Sequence, residues 1–509
     1  MNKKKKGECT VPLTLHCCDS TREKEMKINK KVIICVIMVL SLLLGGCGAS
    51  SGSSVKKVKL DPDNPTKVTI WHYYNGDQLE AFNKLVDEFN STEGKEEGIY
   101  VEGSNFGTVN ELKDSIIAAV KHKTGAKAIP SIFAGYADTA YEVDKLGYAV
   151  DLKDYLTQEE QDKFVESYIE EGEFSDDDSL KILPTAKSTE VFMLNKTDWD
   201  KFAKATGAKP ADLKTVEGIV KTSQAYYEWT DSLTKEKNDG KAFFGRDAMA
   251  NYFLVGAKQL GVEIFSVEDG KPVLNFDKDV IRKLWDNYYV PFVKGYFAAS
   301  GKFRSDDVNT GNILSFVGSS AGATFFPDEV IVNDTESYPI DVEVMESPKF
   351  KGGENYAVQQ GAGMVVTKTD EEQMYASVQF LKWFTEDERN IQFSVASGYL
   401  PVTKTANDID KIEKTTDLAD DNELPIVKIA IDTVNNNTLY TTKAFETGTD
   451  ARNILEYSMQ DKATADRKTV VKNLKKGQSI DEAAKDFVSD SNFDTWYNKT
   501  KAELEKIVK

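Results

Sequence analysis

Short apolar segments that are each followed directly by a helix signal recur along this chain, and they constrain its fold more than any other feature. Residues 67–72 form a strand candidate, and apolar residues then recur at helical spacing from Leu79 to Phe89. Further strand candidates lie at 99–102, 132–134, 191–194 and 363–366. Strands that alternate with helices predict an α/β protein whose sheets are mostly parallel.

Several helix starts carry a Thr with a Glu three residues later, the pattern of a capping box. The sequence predicts such boxes at Thr108 with Glu111, Thr157 with Glu160, Thr369 with Glu372, and Thr385 with Glu388. Asp77 is the predicted N-cap of the first helix. Beyond about residue 402 the pattern predicts helices to the end of the chain, interrupted near Gly477.

The N-terminal region predicts export. Lys27, Lys30 and Lys31 precede an apolar run of 13 residues at 32–44, which ends in Gly45-Gly46-Cys47. A helix of that length covers about 20 Å, too little for a hydrocarbon core of roughly 30 Å, so the segment predicts a signal peptide. Its ending resembles the lipobox of bacterial lipoproteins, which implies a lipid on Cys47.

We therefore expect a signal region at 1–46, whose translation truly begins at Met26, and a flexible lipidated tether at 47–65. The protein would then sit on the extracellular face of a bacterial cell membrane, and a Gram-positive source is expected. None of the five cysteines lies beyond Cys47, so the remaining chain holds no disulfide.

Charge and motifs exclude several classes of function. The chain carries a net charge of −19, and nine of its 64 basic but only four of its 83 acidic residues precede Cys47. The remainder carries a net charge of −24, which repels nucleic acid. Two isolated histidines without cysteine predict no metal site, and the absence of a P-loop or dinucleotide fingerprint predicts no cofactor.

The motifs of the chain give little support to an enzyme. Gly318-Ser319-Ser320-Ala321-Gly322 matches the G-x-S-x-G elbow of hydrolases, but no histidine follows it, because the last one is His122. A Ser-His-Asp hydrolase is therefore nearly excluded. A glycoside hydrolase and an adhesin or structural lipoprotein remain as alternatives of other classes.

Several segments together resemble the family 1 extracellular solute-binding proteins of ABC importers, which include maltose-binding and glycerol-3-phosphate-binding proteins. The segments are 68–72 with 79–90, 182–191 with Asn195-Lys196, 361–366, 376–384 and 398–402. The resemblance implies a two-lobed periplasmic-binding-protein-like fold of type II, whose hinge has three crossovers near 183–190, 352–360 and 399–403. The first lobe would comprise 66–185 and 358–399, and the second 190–352 and 403–509.

The resemblance also implies a monomeric receptor that captures a solute between the lobes and delivers it to membrane permease subunits. We expect a neutral carbohydrate, with glycerol 3-phosphate or another phosphorylated polyol as the alternative. Aromatic faces and planar polar groups suit sugars, and strand-end loops should supply them. The candidate contacts from strand ends are Trp71, Tyr73, Tyr74, Tyr136 and Asp138, and the loop of small residues at 318–327 adds Ser319 and Ser320, whose hydroxyls can donate to a ligand. Those implied by the resemblance are Ser188, Thr189, Asp247, Tyr399 and Arg452.

Overall fold

The computed structural model describes residues 55–174, 177–268, 271–416 and 423–508. The predicted signal region and the lipidation site at Cys47 lie outside these ranges. Among the described residues, no helix combines the length and the apolar character that crossing a membrane requires.

The strands of the described residues follow in chain order: β1 Thr66–His72, β2 Ile99–Asn105, β3 Ile132–Gly135, β4 Leu183–Pro184, β5 Glu190–Asn195, β6 Phe244–Arg246, β7 Phe265–Glu268, β8 Lys271–Leu274, β9 Ser315–Ser319, β10 Glu329–Asn333, β11 Glu336–Pro339, β12 Val342–Glu346, β13 Tyr356–Val358, β14 Gly363–Val366 and β15 Thr438–Tyr440.

The α-helices are α1 Gly76–Ser91, α2 Glu93–Glu97, α3 Val109–Val120, α4 Ala137–Lys145, α5 Gln158–Gln161, α6 Glu166–Glu170, α7 Lys196–Thr206, α8 Val216–Ser232, α9 Met249–Gln259, α10 Lys278–Lys294, α11 Arg304–Asn309, α12 Glu371–Phe384, α13 Asp387–Ala396, α14 Ile409–Thr415, α15 Glu423–Asn436, α16 Gly448–Leu474, α17 Ile480–Ala484 and α18 Asp490–Ile507.

Two mixed sheets form the centres of two lobes. The first has the order β2-β1-β3-β14-β4, and the second has the order β12-β5-β9-β6. Strand β14 runs antiparallel to β3, and β5 runs antiparallel to β9. The prediction of mostly parallel sheets is therefore wrong. The physical reason is that β5 and β14 each enter their sheet directly from a connection between the lobes, so they begin at the edge where β3, β6 and β9 end.

Each sheet is covered by helices that bury apolar faces. In the first lobe Phe89 of α1 packs edge-on against Phe380 of α12, with ring centroids 5.1 Å apart. In the second lobe the rings of Trp285 in α10 and Trp496 in α18 lie 4.9 Å apart. Burial of such rings contributes about 1.5–3 kcal/mol each and stabilises the packing of the helices within each lobe.

Three chain segments meet between the lobes. The backbone of Lys187 pairs with that of Leu400, and the backbone of Ser188 pairs with that of Gln360. The Lys187 side chain is 1 % exposed; its Nζ donates to Glu171 Oε2 at 2.7 Å and to the carbonyl oxygen of Gly361 at 2.9 Å. One lysine therefore links all three segments of the hinge region. Residues 417–422 lie outside the described ranges.

Two segments depart from the predicted domain boundaries. Residues 55–65, the described part of the predicted flexible tether, lie against the first lobe, where Lys56 Nζ donates to Asp154 Oδ2 at 2.6 Å. Residues 403–415 also contact the first lobe, because Thr403 bridges to Phe164 and Lys411 pairs with Asp387. Strand β15 interrupts the region that was predicted to be helical throughout.

The helix starts show which capping predictions hold. Capping boxes are present at Thr108 with Glu111 and at Thr157 with Glu160, as predicted. At the other two sites the prediction is wrong, because Asp370 caps α12, and Glu386 precedes α13 without a side-chain cap. The predicted N-cap Asp77 lies inside α1, whose N-cap is Asn75.

Replacing Asp370 with Ala tests the cap of α12. The Asp370 carboxylate accepts a hydrogen bond from the Gln373 N–H at 2.9 Å, whereas the hydroxyl of Thr369 is buried without a partner in the described residues. We expect Asp370→Ala to lower the free energy of unfolding by about 1 kcal/mol and Thr369→Ala to leave it almost unchanged. Urea unfolding of both variants measures this, and the reverse order of effects would contradict the assignment.

Candidate ligand-binding cleft

A cavity of about 260 Å³ lies between the two lobes. The first lobe contributes residues from the start of α3 and from the turn between β3 and α4. The second lobe contributes the start of α9 and the segment that leads into α16. The lining side chains that can bond to a ligand are amides, hydroxyls and charged groups: Asn110, Lys113, Tyr136, Asp138, Thr139, Glu171, Asn251, Gln359, Gln360, Thr441, Thr442, Thr449, Arg452 and Asn453.

Strand ends place these groups at the cavity. Strand β3 ends at Gly135, so Tyr136 and Asp138 follow at its carboxyl end, the edge at which α/β proteins commonly bind ligands. In the second lobe β6 ends at Arg246, and Ala248 turns the chain into α9 through a left-handed conformation with φ of 51°. The sheet of each lobe thus directs the carboxyl end of a strand toward the cavity.

Asp138 contacts the opposite lobe. Its carboxylate accepts a hydrogen bond from the backbone N–H of Phe445, and a Cβ on Gly448 would overlap it. Burial raises the pKa of Asp138 to about 6, while the nearby charges of Arg452 and Lys113 act in the opposite direction. Lys113 Nζ also crosses between the lobes and donates to Thr449 Oγ1 at 3.2 Å. The lobes therefore meet in direct polar contact in this structure.

Arg452 belongs to a hydrogen-bonded chain of polar groups behind the cavity. Its Nη2 donates to Asn251 Oδ1 at 2.8 Å. The Asn251 amide nitrogen in turn donates to Glu190 Oε1 at 3.1 Å and to Gln360 Oε1 at 3.0 Å. Glu190 is also ion-paired with Arg246. These contacts fix the orientation of the Asn251 and Gln360 amides toward the cavity.

A cluster of tyrosines extends from the cavity along the first lobe. The phenol groups of Tyr73, Tyr136 and Tyr399 lie close enough to interact electrostatically with one another. Tyr136 keeps 38 % of its surface exposed, although both lobes surround it. The three predicted aromatic residues Tyr73, Tyr136 and Tyr399 therefore lie together, and Tyr136 lines the cavity itself.

Other predicted contacts lie elsewhere. Trp71 and Tyr74 are 6 % and 5 % exposed and pack inside the first lobe, where Trp71 stacks on Phe106 at 4.0 Å. The two rings fall in the core because apolar residues close around the end of β1.

The hydroxyl groups that were predicted to contact the ligand mostly form hydrogen bonds within the protein. Thr189 donates to the carbonyl oxygen of Val358 at 2.8 Å, and Ser320 is buried and accepts from the Thr189 N–H at 3.4 Å. Ser319 Oγ and Ser188 Oγ lie 3.4 Å apart. These residues connect β5, β9 and β13 at the hinge and do not line the described cavity.

Asp247 lies beside the cavity and faces a cation of its own lobe. Arg304 Nε lies 3.3 Å from Asp247 Oδ1. Burial raises the pKa of Asp247 to about 6, and the neighbouring Arg304 opposes this shift. Asp247 does not line the described cavity.

Sequence reasoning missed several lining residues. Lys113 lies one turn into a helix whose capping box was recognised, and Gln359 and Gln360 lie at the end of a predicted crossover. The capping box and the crossover indicated where these residues lie in the fold. That they line the cavity depends on the second lobe, which lies opposite them. Asn251 and Thr449 carry no local signal beyond a polar side chain in a helix.

Solved structures share this architecture. A cyclic α-maltosyl-1,6-maltose binding protein from Arthrobacter globiformis matches with a TM-score of 0.63 and 17 % identity, over 87 % of this chain and 100 % of that one. UgpB from Mycobacterium tuberculosis, in complex with glycerophosphocholine, matches with a TM-score of 0.62 and 17 % identity, over 88 % of this chain and 100 % of that one. An ABC substrate-binding protein from Listeria monocytogenes, in complex with cycloalternan, matches with a TM-score of 0.60 and 15 % identity, over 86 % of this chain and 100 % of that one.

These matches establish the α/β two-lobed periplasmic-binding-protein fold over most of the chain. No curated protein sequence matches the chain. The model of the bacterial extracellular solute-binding protein family matches residues 84–420, which is more than half of the sequence. This family consists of receptors, so the hydrolase alternatives do not apply. The chain therefore belongs to the bacterial extracellular solute-binding proteins.

Proposed function

We propose that this solute-binding protein captures a carbohydrate between its lobes and delivers it to the permease of an ABC importer. The observation that carries the proposal is the lining of the inter-lobe cavity, where amides and hydroxyls predominate and Tyr136, Phe265 and Phe445 add rings. Sugar hydroxyls need partners when they are buried, and aromatic rings cover the apolar faces of a sugar. The cavity supplies both kinds of contact.

Closure would produce the signal that a permease reads. The cavity takes its walls from both lobes, so a ligand that contacts both walls stabilises the closed arrangement more than the open one. Only this difference in affinity shifts the equilibrium between the two forms. The hinge region around Lys187 is the place where such a motion would occur.

The ligands named for related structures support a carbohydrate. The Arthrobacter protein is named for a cyclic maltosyl-maltose, and the Listeria protein was solved with cycloalternan. A maltotriose-bound structure from Thermus thermophilus also matches, with a TM-score of 0.55 and 16 % identity. Because the identities are low, these ligands suggest a class of solute and no particular sugar.

The proposal includes a lipid anchor on Cys47 at the outer face of the membrane. Gly45-Gly46-Cys47 after an apolar run supports it. A tether there would hold the receptor near the permease and raise its effective local concentration. Mass spectrometry of the protein from membranes would find a diacylated Cys47 as the first residue, and an unmodified Cys47 within a longer chain would contradict the anchor.

A thermal-shift screen of the purified protein tests the carbohydrate proposal. The panel contains neutral and acidic mono- and oligosaccharides, with amino acids and short peptides as the comparison set. A ligand at 100 times its dissociation constant stabilises the protein by about 2.7 kcal/mol, which is readily measured. We expect at least one saccharide to raise the melting temperature. Stabilisation by the comparison set alone would contradict the proposal.

A further inference from the structure

The inter-lobe cavity brings two cations of opposite lobes together. Four charged side chains line it: Lys113, Asp138, Glu171 and Arg452. Glu171 is already ion-paired with Lys187 at 2.7 Å, outside the lining. Two cations and one carboxylate remain, which leaves a local positive charge in a chain whose net charge is −19. This local excess of one positive charge favours a ligand that carries negative charge.

Neither cation is held in a close ion pair within the part of the chain that the structure describes. Lys113 and Arg452 form no salt bridge within 4.0 Å there, and each makes one hydrogen bond to a neutral group. The Lys113 ammonium has three donors, and the Arg452 guanidinium has five, so most of their donors remain for a ligand. Asp138 is close enough to act electrostatically on both, but its carboxylate accepts from the Phe445 backbone.

The two cations converge on one place from opposite lobes. Lys113 donates to Thr449, which lies one turn before Arg452 in α16 and therefore on the same side of that helix. Helix α16 spans 27 residues and begins at Gly448, which also lines the cavity. Its N-terminus adds partial positive charge where the two side chains meet.

We propose that Lys113 and Arg452 together bind an acidic group, a carboxylate or a phosphate, on the carbohydrate that enters this cleft. This inference rests on the proposed function and names the substrate class of the same site. Because Lys113 belongs to the first lobe and Arg452 to the second, one anionic group bound to both joins the lobes. The acidic group thus provides both specificity and differential affinity for the closed form.

Matched ligands test the requirement for charge. Titration calorimetry compares trigalacturonic acid with its neutral methyl ester, and glucose 6-phosphate with glucose, so that each pair differs in one kind of group. We expect the acidic member of at least one pair to bind at least tenfold more tightly. The pair that shows the preference identifies the source of the charge, a uronic acid or a phosphate ester.

Variants connect that preference to the two cations. Lys113→Gln and Arg452→Gln should each weaken binding of the acidic member at least tenfold more than they weaken binding of its neutral twin. Lys468→Gln removes a charge from an exposed position of the same helix, outside the cleft, and should change neither affinity. Circular dichroism and melting temperature confirm that each variant is folded.

The outcomes separate this inference from the proposed function. Neutral sugars that bind as tightly as their acidic twins overturn the inference and leave carbohydrate capture intact. An acidic preference that survives both glutamine substitutions also overturns it, because other groups must then hold the charge. Failure of every saccharide, acidic or neutral, to bind contradicts both proposals.

Discussion

Replacing Lys187 with Met should lower the free energy of unfolding by about 3–5 kcal/mol, because it leaves a buried carboxylate without its cation. The side chains of Lys187 and Glu171 are 1 % and 7 % exposed. Among the residues that the structure describes, Glu171 would retain the Gln359 amide, whose Nε2 donates to it at 2.6 Å. Lys187 also holds the Gly361 carbonyl, so its loss affects two hinge segments. Urea unfolding followed by circular dichroism measures the change.

Two further variants show that buried charge is the cause. Lys187→Met combined with Glu171→Gln removes both charges and should recover a large part of the loss, since the glutamine oxygen still accepts from Gln359. Lys56→Met breaks the exposed pair with Asp154 and should cost less than about 1 kcal/mol. Equal effects of Lys187→Met and Lys56→Met would show that the hinge lysine has no special role.

Replacing Gly448 with Ala should weaken ligand binding at least tenfold, which corresponds to about 1.4 kcal/mol. A Cβ at this position would overlap the Asp138 carboxylate of the opposite lobe. The overlap exists only when the lobes meet, so the substitution disfavours closure. Folding should not suffer, because Gly448 does not adopt a positive φ and the nearest atoms that its Cβ would meet belong to Asp138. Calorimetry with the ligand found by screening, together with urea unfolding, measures both quantities.

A double-mutant cycle isolates that overlap. In an Asp138→Ala background the methyl group of Ala at 448 has no carboxylate to meet, so Gly448→Ala should then leave affinity almost unchanged. The cycle compares the effect of Gly448→Ala in the two backgrounds, so any contribution of Asp138 itself to ligand affinity cancels. A penalty of the same size in both backgrounds would mean that the methyl group acts on α16 and not across the cleft.

Local patterns predicted the elements of this fold well. The alternation of strand and helix is present, and the capping boxes at Thr108 and Thr157 form as the spacing indicated. The box at Thr369 fails because Asp370, one residue later, provides a carboxylate that caps the helix instead. Spacing alone cannot decide between two adjacent acceptors, since the exact first turn depends on tertiary packing.

Long-range arrangement was harder to predict. Strand β14 lies beside β3 although more than 200 residues separate them in the chain, and its antiparallel direction follows from its entry through the hinge. The same limit applies to the cleft. Tyr136, Asp138 and Arg452 were expected at the ligand and line the cavity, whereas Trp71 and Tyr74 lie in the core. Which side of a strand end faces the cavity depends on the packing of other elements.

Ligand-dependent compaction is the most direct test of a two-lobed receptor that closes on its solute. Small-angle X-ray scattering of the purified protein, with and without a saturating saccharide identified by screening, measures the radius of gyration. We expect the ligand to reduce it, and Gly448→Ala to diminish that reduction at the same ligand concentration. Identical scattering curves from the free and the saturated protein would contradict the account.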